Sequence, residues 1–111
     1  MTERMNELLA VLDMPETEQW KRLRPFTDAS GDDYERGLYS KCLRKRVLAD
    51  LAFRLRDEAI EKYGVEFHNG IYAVQCYLKK EEWATAFWGE VYAQPIHWII
   101  AGLIAKELEK K

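Results

Sequence analysis

The residues of this 111-residue chain that could do chemistry are few: two cysteines, two histidines, two serines and one cationic run. His68, Cys76, His97 and Cys42 are the residue types that hold zinc. Their spacing matches no zinc pattern, and no H-E-x-x-H helix is present. His97 follows Pro95 in the first turn of an apolar helix, where a neutral, hydrogen-bonded core histidine is expected. Ser30 and Ser40 have no evident histidine partner, and there is no G-x-S-x-G, P-loop or G-x-G-x-x-G. The carboxylate pairs Asp57–Glu58 and Glu81–Glu82 are adjacent in sequence, so neither pair shares a helix face. No catalytic residue, cofactor or metal site is expected, and a non-enzymatic protein is the reading.

The sharpest charge feature is the stretch from Arg36 to Arg46, which holds Arg36, Lys41, Arg44, Lys45 and Arg46 and no acidic residue. With 17 basic against 19 acidic residues overall, this makes an uneven surface. Two readings are open. The five cations form a docking site for an acidic protein face or for phosphate, or they are a solvated helix face answered by Asp32, Asp33, Glu35 and Asp50. The net charge of -2 argues against a duplex-DNA binder, whose affinity rests on neutralising phosphates. A second feature is Arg56, which projects into the apolar arc of its helix near Ile60. It must find an acceptor, run its stem along the core to water, or face a groove used by a partner.

Helices must position these residues. Met5, Leu8, Leu9 and Leu12 repeat at one helical face. Asp13 and Glu16 read as a capping box around Pro15, opening a short helix with Trp20 and Leu23 that Pro25 stops. Phe26 to Asp33 is the clearest loop. From Asp33 to Tyr63 the chain reads helical, with a break between Gly37 and Val47. Leu48, Leu51, Ala52, Leu55, Ala59 and Tyr63 form one stripe, and Gly64 ends it in a left-handed turn. Phe67 to Leu78 fits helix or strand, and helix is preferred because a lone strand has no partner. Glu81 and Glu82 open a further helix with the aromatic stripe Trp83, Phe87, Trp88, Val91 and Tyr92, read as core unless Trp88 or Trp98 proves exposed. A final, nearly all-apolar helix starts at Pro95, too short to span a membrane. The expected fold is all-α: a compact orthogonal or bundle-like single domain, 1–111, of five or six helices with a buried C-terminal helix.

Composition agrees with a folded globule: 48% hydrophobic, 13% aromatic and three prolines. The N-terminus, charged early and with spaced apolar positions, does not read as a secretion signal, so a cytoplasmic protein with reduced thiols is expected.

The segments VLADLAFRLRDEA (Val47 to Ala59) and YAQPIHWIIAGLIAKEL (Tyr92 to Leu108) resemble small uncharacterised phage and prophage proteins that share L-A-D-L-A-F-R-L-R-D-E and P-I-H-W-I-I-A-x-L-I-A. The resemblance implies a shared fold and a bacterial, mobile-element context, and it assigns no role to any residue. The functional expectation is an accessory protein that binds a protein partner, for example an inhibitor of a bacterial defence complex. The alternative is a nucleic-acid-binding regulator using the Arg36–Arg46 stretch.

Overall fold

The computed structural model describes residues 2–78 and 94–109, and within them every regular element is helical. Six α-helices follow in order: α1 (Glu3–Ala10), α2 (Glu16–Leu23), α3 (Gly31–Tyr39), α4 (Lys41–Lys62), α5 (Val65–Leu78) and α6 (Pro95–Glu109). Short 3₁₀ turns, Val11–Asp13 and Arg24–Phe26, extend α1 and α2. The expected all-α fold is present. The aromatic stripe from Trp83 to Tyr92 and the helix opened by Glu81 lie outside the described residues.

α6 is the axis of the core. Ile99, Ile100 and Ile104 are fully buried in it, and Ala101, Leu103 and Ala105 nearly so. Burying each isoleucine contributes about 1.5–3 kcal/mol. Such a helix needs neighbours on most sides, and α1, α4 and α5 supply them. Two glycines set the spacing. A Cβ at Gly70 of α5 would run into the Ala101 carbonyl, lying 3.1 Å from its carbon. A Cβ at Gly102 would meet Leu55 Cβ of α4 at 3.0 Å. The helices therefore approach closely on both flanks of α6, which leaves no room for a side chain at Gly70 and admits one at Gly102 only if Leu55 gives way.

α4 buries Leu51, Ala52, Leu55 and Ala59 from the expected stripe, with Leu48 and Tyr63 packed at its margin. It ends as anticipated: Gly64 adopts φ 47° and its N–H donates to the Ala59 carbonyl (2.8 Å). Phe67 to Leu78 is helical, and Phe67 and Val74 face α6 and the core.

Three local expectations need correction. α1 ends at Ala10, so Leu12 lies in the 3₁₀ turn, only partly buried, and Val11 takes the core position. Asp13 and Glu16 do not form a capping box. Pro15 is the N-cap of α2 and no side chain caps it. Both carboxylates serve distant partners instead: Asp13 accepts from the Tyr77 hydroxyl of α5, and Glu16 from Arg44 of α4. The loop after Phe26 is shorter than read, because Ser30 starts α3 by accepting from the Asp33 N–H (3.1 Å). Arg54 fastens that loop to α4, donating to the Asp28 carboxylate and to the Phe26 carbonyl (2.8 Å).

Candidate partner-binding surface

The break foreseen between Gly37 and Val47 is one residue wide. Ser40, at φ -99° and ψ 102°, cannot continue α3, so its N–H closes that helix on the Arg36 carbonyl (2.7 Å). Its hydroxyl then accepts from the Leu43 N–H (3.2 Å) and starts α4. A single serine thus turns the chain between two helices.

The corner is held from inside. Trp20 of α2 is fully buried, donates Nε1–H to the Tyr34 carbonyl (2.9 Å) and stacks on the Tyr34 ring at 5.7 Å. Arg24 covers that ring from 4.4 Å. α3 crosses the indole at Gly37, where a Cβ would lie 2.7 Å from Trp20 Cε2.

Arg44 completes the fixture. Its side chain is only 9% exposed. Nη1 donates to the Gly37 carbonyl (2.8 Å) and Nη2 to Glu16 (2.9 Å), so one guanidinium joins the C-terminal turn of α3, the start of α4 and the start of α2. A cation suits this place because the last carbonyls of a helix carry partial negative charge. The arginine fork reaches two acceptors at once, which an ammonium held on one stem does less well.

The five cations of the sequence therefore divide. Arg44 is internal and both of its acceptors are within the fold, so it is not part of the exposed surface on which the sequence reading placed it. Arg36, Lys41, Lys45 and Arg46 are exposed. Arg36 makes a loose 3.7 Å pair with Asp33 one turn earlier, and no ion pair joins Lys41, Lys45 or Arg46 to the described residues. The signal for Arg44 was in the sequence: it stands four residues before Leu48 and continues the buried stripe of α4.

Sequence reasoning gave Tyr39 no role. It ends α3 one turn after Arg36 and is 90% exposed, the most open large hydrophobic side chain among the described residues. Beside the corner, Glu16, Arg44 and Lys45 wall a recess of about 360 Å³ floored by Leu48, Pro95 and Ile96. The accessible chemistry is thus a cationic corner with one protruding phenol ring and an apolar-floored recess next to it.

The remaining candidates are dispersed. Among the described residues no three His, Cys, Asp or Glu side chains gather as a metal-holding group. Cys42 and Cys76 are free, exposed thiols. His97 is partly buried, and its Nδ1 accepts the Gln94 N–H (2.8 Å), tying down the start of α6. Both serines are occupied as helix caps. Arg56 is half-exposed over the rings of Phe53 and Trp98, at 5.3 and 6.0 Å. Trp98 itself is partly buried and stacked on Phe67 at 5.6 Å.

No protein-family model, curated protein or solved structure matches this chain. No helix among the described residues is long and apolar enough to cross a membrane.

Proposed function

We propose that this chain is a non-enzymatic accessory protein, of phage or mobile-element type, that acts in the bacterial cytoplasm by binding the acidic face of a protein partner through the α3–α4 corner. An inhibitor of a defence complex is the kind of role this describes. The observation that carries the reading is Tyr39, 90% exposed at the end of α3, on a corner that Arg44 pins and whose two helices also expose Arg36, Lys41, Lys45 and Arg46. Tyrosine and arginine are the residues most enriched where interfaces gain their energy. A rigid platform loses little freedom on binding, so more of the contact energy appears as affinity. The cations steer an acidic partner in and set its orientation.

Nucleic acid competes for the same charges and is an outcome of the test. The single-residue joint at Ser40 differs from the three- to four-residue turn that sets a recognition helix into a groove. The test is capture from bacterial lysate, with and without nuclease, by the wild-type protein and by Lys41→Glu/Lys45→Glu. The proposal expects a stoichiometric protein partner that survives nuclease, is lost on charge reversal, and is weakened at least tenfold by Tyr39→Ala. Capture that vanishes with nuclease would move the site to nucleic acid. Equal capture by the charge-reversed protein would end the proposal.

A further inference from the structure

α4 carries a face that the other described residues leave uncovered. At about 100° per residue, Phe53, Arg56, Asp57 and Ile60 stand on one side of the helix, away from the buried Leu51, Ala52, Leu55 and Ala59. Phe53 and Ile60, 57% and 60% exposed, lie seven residues apart and form a ridge. Arg56 and Asp57 flank it, roughly 50° to either side of the line joining the two apolar residues.

Among the described residues neither flanking charge has a hydrogen-bonded partner of opposite charge. Arg56 Nε is buried with no hydrogen-bond partner among the described residues. Its nearest carboxylate is Asp57 at 3.9 Å, beyond hydrogen-bond distance, and Asp57 is itself 69% exposed. The guanidinium is meanwhile held in place over the Phe53 and Trp98 rings. The buried Nε is out of reach from outside, but the side chain as a whole is 36% exposed, so the rest of this fixed cation can meet a carboxylate beside the apolar ridge.

We propose that this face binds a second copy of itself, α4 against α4, about a two-fold axis running parallel to the helix. Such an axis carries each flank to the opposite side of the seam. Phe53 then meets Phe53 and Ile60 meets Ile60, while Arg56 of each copy faces Asp57 of the other. A two-fold across the helix would instead set arginine against arginine and aspartate against aspartate, so these two flanking charges favour the parallel arrangement. That arrangement also brings Arg46, seven residues before Phe53 on the same line, against its own copy at the end of the seam. What the ridge requires of a partner is two apolar residues at seven-residue spacing, with an anion on one flank and a cation on the other. The same ridge on a second copy supplies all of these, which is the self-complementarity a two-fold interface demands. Stable interfaces bury about 1,200–2,000 Å². A ridge of two helical turns covers less, so the dimer is weak and concentration-dependent. No other protein is needed to form it, so a test on the free protein can fail without the α3–α4 corner failing as a partner site.

The test is analytical ultracentrifugation of the full chain from micromolar to millimolar concentration, with Arg56→Glu and Asp57→Lys measured alone and mixed. Each variant alone places like charges across the seam twice, and its self-association constant should fall at least tenfold. Mixed in equal amounts, the two recover opposite charges at both contacts and should associate as the wild type does. Circular dichroism checks the fold. Should Arg56→Glu not fold, Asp57→Lys and Phe53→Ser, both at exposed positions, must each be monomeric where the wild type dimerises. A wild type that stays monomeric at millimolar concentration overturns the proposal. So do single variants that dimerise normally, or a mixture that does not recover.

Discussion

Replacing Arg44 by methionine separates a strut from a contact. Methionine keeps an unbranched apolar stem of similar reach, so the change removes the guanidinium and little packing. The Gly37 carbonyl, on a buried residue, then loses the donor at 2.8 Å that satisfies it. Leaving such a group unpaired costs about 1–3 kcal/mol. The pair with Glu16 adds less, about 0.5–1 kcal/mol, because that carboxylate is half in water and can be solvated once released. The sum is about 1.5–4 kcal/mol. At roughly 2.1 cal/mol/K of unfolding entropy per residue, each kcal/mol moves the midpoint of a chain this size by about 4 °C, so a fall of roughly 6–16 °C is expected. Thermal unfolding followed by circular dichroism measures it. Glu16→Gln leaves the Gly37 bond in place and should cost under about 1 kcal/mol. Lys41→Glu/Lys45→Glu should leave the midpoint near that of the wild type. The reasoning fails if Arg44→Met melts within about 2 °C of wild type, a change worth under about 0.5 kcal/mol, or if it abolishes partner capture while the fold is untouched.

Gly70→Ala tests the close approach of α5 to α6. The added methyl meets a backbone carbonyl, which cannot rotate aside, so overpacking of about 1–3 kcal/mol or more should outweigh the ~1 kcal/mol that alanine gains in helix propensity. Urea titration should find the variant less stable than wild type, whereas Gly31→Ala, with nothing within 4 Å of the new methyl, should be neutral or better. An equal or stabilised Gly70→Ala would contradict the packing. Acid stability tests the C-terminal end of α4. Burial pushes the Glu58 carboxyl up, but Lys106 (3.4 Å), the Tyr63 hydroxyl (3.2 Å) and Lys62 outweigh it and hold it below its ordinary value. The folded state therefore binds this proton less readily than the unfolded chain. The stability it contributes is full above the unfolded value and is lost as the pH falls through the folded one. Melting curves of wild type and Glu58→Gln should draw together across the carboxylate range, and a gap that stays constant with pH would refute the assignment.

What the sequence made legible was whatever short-range spacing encodes. The stripe from Leu48 to Ala59, the αL turn at Gly64 and the apolar run from Ile99 to Ala105 each depend on neighbours within a few residues, and each is present. The capping failures have one cause. Asp13 and Glu16 look like local caps, but Asp13 serves Tyr77, 64 residues away, and Glu16 serves Arg44, 28 away. Periodicity carries no record of such partners. Arg44 was misplaced because its residue type says surface while its position on the stripe says core. Position prevails when the fold brings two acceptors to the guanidinium. Tyr39 is the reverse case, an aromatic residue whose type says core but which stands 90% exposed at the end of α3, beside the turn at Ser40.

The two proposed surfaces share one helix, and their placement couples them. Lys41, Lys45 and Arg46 occupy the N-terminal part of α4, while the Phe53–Ile60 ridge lies toward its other end, roughly 16 Å from Lys45 to Arg56 along the axis. A two-fold parallel to α4 brings both basic corners to the same end of the dimer. Eight exposed cations gathered there repel one another, which opposes dimerisation in the free protein. A partner with a broad acidic face, or two acidic sites side by side, relieves that repulsion and gains a second contact at high effective concentration. Binding at one surface must then strengthen binding at the other by the same factor, since the coupling is reciprocal. The self-association that the ridge alone makes weak would become strong where the partner is present.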